Sequence, residues 1–199
     1  AQSDLFAALL EHWDLDAPHV LAHDFGGAVA LRSHLLDQRN FRSLALVDVV
    51  ALRPWGSPFF RLVGEHPDVF VRLPEALQRA VVREYVSGAA FTDLAGDVLD
   101  GLVAPWTGPT GQAAFYRQIA QADERYTDEI EGRLSDVRCP TLIVWGTDDA
   151  WIPVGTAHRL HSVIPGSELR LIERAGHLVH EDRPGELRGQ LTAWLSSQA

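Results

Sequence analysis

The sequence predicts an α/β fold in which a parallel sheet is flanked by helices and one connection between strands is enlarged into a helical insert. Three observations carry this reading: short apolar runs alternating with helical stretches, a long strand-free interval in mid-chain, and an abrupt strand-to-helix transition near the start. Strands that alternate with helices come together as parallel neighbours, because each crossover has to pass back over a face of the sheet.

Ser3 precedes residues 4–13, in which Leu5, Leu9 and Trp13 recur every four positions, so a capped amphipathic helix is expected there. Next comes His19-Val-Leu-Ala-His-Asp24, a short apolar run with polar ends. Gly26-Gly27 and the helix-forming stretch 28–38 follow it directly, which reads as strand, sharp turn and helix. Residues 43–50, 141–145 and 168–172 supply further strands, and 156–163 and 185–196 further helices. Between Pro54 and Leu134, stripes such as Leu77, Val81, Tyr85 and then Phe115, Ile119 have helical spacing with no strand between them. A plain crossover is much shorter than this. Residues 54–134 are therefore expected to form a helical cap, and 1–53 with 135–199 the sheet core; Pro54, Gly56 and Pro58 mark the entry and Arg138-Cys139-Pro140 the return.

With 199 residues, 46% hydrophobic and 22% charged, the chain can bury one substantial core, which excludes a disordered tail or a fibre. No apolar run approaches the roughly 20 residues that span a bilayer, and no basic-then-apolar leader opens the chain, so no membrane partner is expected. The single cysteine, Cys139, has no partner for an internal disulfide, which leads to the expectation of a reducing, cytoplasmic setting. A net charge of -10, with arginines scattered singly, leaves no stripe to neutralise phosphates, so nucleic acid is not expected as a partner. The sequence opens on Ala1 and contains no methionine, hence the expectation that its natural start lies upstream.

The chemistry concentrates in Ala22-His-Asp24-Phe-Gly26-Gly27, where a reactive residue sits between small ones as strand passes into helix. A tight elbow presses the neighbouring positions against strand and helix, which is why they must be small. The helix behind it aims its free N–H groups and dipole at the same point and so stabilises negative charge there. Two further segments belong with it: Trp145-Gly146-Thr-Asp-Asp149-Ala-Trp-Ile-Pro153 after one apolar strand, and Ala175-Gly176-His177 after the next.

Together these segments resemble the α/β-hydrolase fold superfamily, in the branch where aspartate replaces serine as nucleophile, the epoxide hydrolases and haloalkane dehalogenases. The elbow places Asp24 as nucleophile. The family's acid lies three residues beyond a glycine with a proline four further on, which matches Asp149 rather than Asp148. Its histidine precedes the final helix, which matches His177, and the order nucleophile, acid, histidine agrees. The resemblance implies an α/β-hydrolase core with an inserted cap, no cofactor and no metal, and a small molecule and water as the only partners. Taken singly, Asp24 fits a helix cap, Asp148 and Asp149 fit turn residues, and His177 fits a surface histidine; their joint spacing carries the assignment. Asp24-Phe-Gly26 also spells a kinase magnesium triplet, but no glycine-rich loop or His-Arg-Asp accompanies it. His177 and His180 beside Glu181 lack zincin spacing.

Aspartate suits a saturated carbon, because a serine oxygen would leave an ether that water cannot cleave, whereas a carboxylate leaves an ester. It is ionised at neutral pH and needs no base for the first step, which frees His177 for the second. The Phe25 backbone N–H is the expected oxyanion donor. The resemblance then offers two electrophiles. In epoxide hydrolases a cap tyrosine protonates the departing oxygen, and Phe115-Tyr116-Arg117 resembles that element, which makes Tyr116 the candidate with Tyr85 or Tyr126 as a second. Haloalkane dehalogenases place a tryptophan directly after the nucleophile, where this chain has Phe25, a residue with no donor. Trp55, Trp106 or Trp151 would then have to hold the halide. Phe25, Tyr116 and Trp106 are the expected substrate contacts, and epoxide is favoured over haloalkane or haloacid. Esterase-like chemistry and a catalytically silent ligand-binding relative stay open.

Some dehalogenases take the acid from the sixth strand, where Asp48 falls, so Asp48 is the alternative acid. The family's His-Gly-x-Pro loop, which donates a second oxyanion N–H, is absent, as is the first half of the sheet. The strand at 19–24 is therefore expected to present an unpaired apolar edge and to favour self-association.

Overall fold

In the computed structural model, residues 2–198 are described, and their strands form one four-stranded, all-parallel sheet of order β1 (His19–Asp24), β2 (Ser43–Val49), β3 (Thr141–Gly146) and β4 (Glu168–Ile172). Every residue of β2 and β3 is buried, as expected for central strands covered on both faces, whereas β1 and β4 are partly exposed. Among the described residues β1 pairs with β2 alone, and Leu21 at its middle is 56% exposed.

Alternate side chains of the strands feed two cores. Leu44, Leu46, Ile143 and Trp145 point to one face, together with Leu31 and Leu35 of α2 (Phe25–Leu35) and Leu10 of α1 (Gln2–His12). Ala45, Val47, Leu142 and Val144 point to the other, under Leu187 and Trp194 of α11 (Pro184–Ser196). The helix α9 (Gly155–Val163) covers the first face with Ala157 and Leu160.

Between β2 and β3 the chain runs through α3 (Pro58–Glu65), α4 (Pro67–Phe70), α5 (Glu75–Ser87), α6 (Gly96–Val103), α7 (Gly108–Ala120) and α8 (Arg125–Glu131). Val63, Val82, Leu99, Val103, Phe115, Tyr116 and Ile119 form a third cluster of their own there. Ile130 of α8 and the following Leu134 pack instead into the first sheet core. Ser57 caps α3 by accepting from the Phe60 N–H, with Pro58 at the first helical position.

Several details differ from the sequence reading. In α1 the expected stripe Leu5, Leu9, Trp13 faces largely outward, with Leu5 and Trp13 exposed, while Ser3, Ala7 and Leu10 are buried and Ser3 lies inside the helix instead of capping it. The helix expected at 28–38 starts at Phe25, because the backbone of Asp24 (φ 51°, ψ -128°) makes the whole turn alone and Gly26-Gly27 already lie in the first helical turn. Gly27 is required by close approach, since a Cβ there would fall 2.3 Å from Val49 Cβ on β2. In α5 the expected stripe Leu77, Val81, Tyr85 is rotated by one residue: Leu77 is 55% exposed, and Gln78 and Val82 are buried instead. No helix among the described residues is long and apolar enough to cross a membrane.

Candidate active site

The carboxyl ends of the parallel strands, where open α/β sheets present their ligand crevices, bring three loops together. Asp24 ends β1 at a positive φ that costs a non-glycine residue roughly 1–3 kcal/mol, strain of the kind that clusters at functional sites. The backbone N–H of Phe25, the first residue of α2, favours the charged form of the Asp24 carboxyl, so the helix terminus faces the charge.

Asp149 follows β3, and its side chain is closed off from solvent. Its Oδ1 accepts from the N–H groups of Trp151 and Ile152, both at 2.8 Å, and its Oδ2 lies 2.9 Å from Nδ1 of His177. His177, 1% exposed, sits in the loop between β4 and α10 (Val179–Asp182). Its Nε2 has no hydrogen-bond partner and lies 3.6 Å from Asp24 Oδ1. The two nitrogens of one imidazole thus face two different carboxylates. His23 fixes the same loop: its Nε2 is 2.9 Å from the His177 carbonyl, and its ring lies 4.8 Å from the His177 ring. Trp151 covers the imidazole from another side at 4.9 Å.

The electrostatics follow from burial and neighbours. Burial raises the Asp24 carboxyl above its ordinary value, while the charge of His177 and the Phe25 N–H oppose the rise. Burial disfavours charge on His177 too, but the hydrogen bond and charge of Asp149, backed by Asp24 and Asp48, outweigh it and the imidazole ends above 6.5. Asp48 is a different case. Burial pushes its carboxyl up to about 8 against the Gly146 N–H that bonds its Oδ1, so it is mostly neutral at pH 7. Its Oδ2 has no partner, and Asp149, not Asp48, receives the histidine Nδ1. Burial pushes His23 down to about 4, which leaves it neutral.

Asp24 opens into a cavity of about 1030 Å³ whose wall includes Phe25, Trp55, Phe60, Tyr85, Trp106 and Trp151. Of the expected substrate contacts, Phe25 and Trp106 line it and Tyr116 does not. Tyr116 is 1% exposed in the third cluster, against Phe70 and Phe115, and its hydroxyl donates to Gln78 Oε1. Tyr85 and Tyr126, the alternatives expected as a second donor, both line the cavity. The Tyr85 ring stacks on Trp151, the histidine's neighbour, at 4.3 Å, and burial, with the Asp24 charge beyond, raises its hydroxyl above the ordinary value against an opposing influence of the Ser57 side chain. Trp55 does not offer its indole N–H, which donates to Thr127 Oγ1 at 2.9 Å. Among the described residues no cluster of three or more His, Cys, Asp or Glu is placed to hold a metal ion.

The sequence reading missed His23 and Asp182. Asp182 accepts from backbone groups on both the histidine loop and the segment after α5, and its only signal in sequence is an acid five residues beyond His177 and two before Pro184.

The α/β hydrolase family model matches residues 1–190. An uncharacterized protein of Mycobacterium tuberculosis is 29% identical over 196 residues, covering 88% of this chain and 55% of that protein. The 2-hydroxy-6-oxo-2,4-heptadienoate hydrolase of Pseudomonas putida is 29% identical over 187 residues, covering 92% of this chain and 65% of its own. This chain therefore spans between about half and two thirds of these two curated relatives. An α/β hydrolase fold protein from Burkholderia ambifaria, solved by crystallography, superposes with a TM-score of 0.92 at 45% identity, covering 95% of this chain and 70% of that one. A meta-cleavage product hydrolase from Pseudomonas fluorescens, at 16% identity and a TM-score of 0.79 over 99% of this chain and 71% of its own, shares the fold. The chain belongs to the α/β hydrolase family.

Proposed function

We propose that the protein hydrolyses epoxides through a covalent alkyl ester on Asp24, with His177 and Asp149 as the water-activating pair. The observation that carries this reading is the placement of one carboxylate, at a strained elbow, 3.6 Å from the free nitrogen of an acid-paired histidine. Residues 54–134 act as a cap over the sheet core of 1–53 and 135–199, and together they enclose an apolar, neutral substrate.

In the first step an Asp24 oxygen attacks an epoxide carbon from behind the C–O bond. That bond breaks, its electron pair moves to the departing oxygen, and Tyr85 supplies the proton. Burial keeps the Tyr85 phenol protonated at neutral pH, as a donor must be. In the second step His177 Nε2 takes a proton from water, which adds to the ester carbonyl while the Phe25 N–H holds the oxyanion. Collapse expels the diol, restores the Asp24 carboxylate, and leaves one proton to return to Tyr85.

The site's charges favour this order. While Asp24 is anionic it helps to hold a proton on His177. Alkylation removes that charge, lowers the imidazole's proton affinity and makes it a base when one is needed.

Release of halide from a haloalkane is the second reading, since Trp106 and Trp151 bring indole rings to the same cavity. An esterase-like reading agrees with the named hydrolase relatives. Attack of a carboxylate on an acyl group would instead pass through an anhydride. A single turnover of styrene oxide in ¹⁸O-water tests the proposal. Label in the Asp24 carboxylate and none in the first diol is the expected result, and label in that diol would overturn the ester intermediate.

A further inference from the structure

Asp182 is the most heavily bonded acid outside the reacting groups. It is 7% exposed, at the end of the short helix after the histidine loop. Its Oδ2 accepts from Gly176 N at 2.8 Å and from Phe91 N at 2.8 Å; its Oδ1 accepts from Thr92 N at 2.8 Å and Thr92 Oγ1 at 2.6 Å. One oxygen therefore bridges two chain segments about ninety residues apart in sequence. Gly176 immediately precedes His177. Phe91 and Thr92 belong to the loop that leaves α5, the helix that carries Tyr85.

Two further contacts seal the same junction. Leu178 N donates to Ala89 O at 3.1 Å, so the histidine loop is held to the α5 exit on both sides of His177. A Cβ on Gly176 would lie 2.6 Å from Ala89 O and 2.9 Å from Phe91 N, so only glycine allows this approach. Burial works against charge on Asp182, but the N–H groups of Phe91, Gly176 and Thr92 and the Thr92 hydroxyl hold its carboxyl below the ordinary value. Four donors converging on a largely buried carboxylate exceed what capping a four-residue helix requires.

We propose that Asp182 is a positioning residue that sets the base against the acid: by joining the histidine loop to the exit of α5, it fixes how His177 and Tyr85 stand to each other across Asp24. The proposal rests on the epoxide reading above, in which those two side chains serve successive steps. A device of this kind matters because a shift of about 1 Å at a reacting group costs on the order of 10²-fold in rate.

The test compares Asp182→Ala and Asp182→Asn with the parent protein, using styrene oxide and rapid-quench mass spectrometry well below each variant's melting temperature. The alanine variant should lose on the order of 10²-fold in both ester formation and ester breakdown, with KM changing little. The asparagine variant can keep its amide oxygen at the bridging position between Gly176 and Phe91 and give its NH2 to Thr92 Oγ1, losing only the bond from Thr92 N, so it should recover most of that loss. If the folded alanine variant melts lower yet forms and breaks the ester at the parental rates, Asp182 is structural only and the inference fails. If alanine does not fold, the asparagine variant combined with Thr92→Val, which strips the amide NH2 facing Thr92 of its hydroxyl acceptor, must lower both rates; parental rates there sink the inference equally. A parent protein that forms no ester with styrene oxide contradicts the function reading itself, a result separable from any difference among these variants.

Discussion

Replacing Asp149 by asparagine should stop the second half of the reaction while sparing the first, and the structure fixes why. The Asp149 Oδ1 receives two backbone N–H groups at 2.8 Å, from Trp151 and Ile152. Turning an amide NH2 toward them would leave two donors unpaired at a cost of about 1–3 kcal/mol each. The amide oxygen therefore stays at that position, and the NH2 takes the place of Oδ2, 2.9 Å from His177 Nδ1. Facing a donor, Nδ1 has to present its lone pair, which moves the imidazole proton to Nε2, the nitrogen that must accept a proton from water. A wrong tautomer of this kind costs on the order of 10⁴-fold where the same acid–histidine logic operates, or about 5 kcal/mol of barrier. Alkylation by Asp24 needs no base and should change by less than about tenfold. Rapid-quench analysis with styrene oxide resolves the two rates, and ester breakdown within about threefold of the parent would refute the reasoning. Breakdown that survives in Asp149→Asn but disappears when Asp48 is also replaced would move the acid role to Asp48. That outcome would require a carboxyl now raised to about 8 to ionise beside the histidine.

The two tyrosines should separate cleanly. Tyr85→Phe should lower epoxide opening by about 10²–10⁴-fold and leave haloalkane turnover nearly unchanged, whereas Tyr116→Phe should cost about 1–3 kcal/mol in denaturant melts by stranding Gln78, with turnover retained. Similar epoxide losses in both would contradict the assignment. His23 makes stability fall with acid: the unfolded chain binds its proton near 6.5 and the folded chain only near 4, so its stabilisation is complete above 6.5 and is lost as pH falls toward 4. The difference amounts to at most about 3 kcal/mol. His23→Gln should flatten the curve of unfolding free energy between pH 4 and 6.5, and an unchanged slope would show that other groups set it. Because Asp149 is the main influence raising His177, the acidic limb of ester breakdown, where protonation switches the base off, should move to lower pH in Asp149→Asn; an unmoved limb would deny the pairing.

Much of the site could be read from sequence because its chemistry is written in contiguous segments. The elbow residues Ala22 to Gly27, the glycine-to-acid spacing of Gly146 and Asp149, and the loop at His177 each carry a local steric or hydrogen-bonding demand, and the strands they terminate match the expected ones to within a residue. The cap side of the site was harder to see, since a tyrosine's direction depends on helix rotation. Gln78, not Leu77, turns inward on α5 because its amide bonds the Tyr116 hydroxyl and the Trp106 carbonyl. That pairing goes with a buried Tyr116, while Tyr85 lines the cavity into which Asp24 opens. Asp182 was invisible for a related reason: its partners Phe91 and Thr92 come from the far side of the chain, and no local pattern marks a long-range carboxylate bridge.

On the proposed mechanism Asp24 becomes alkylated and His177 releases it. His177→Gln keeps the nucleophile and removes the base, so after incubation with styrene oxide its intact mass should rise by one equivalent of the epoxide, with the increment mapped to Asp24 and absent once Asp24→Asn is added. An unchanged mass, an increment on another residue, or continued turnover by Asp24→Asn would contradict it.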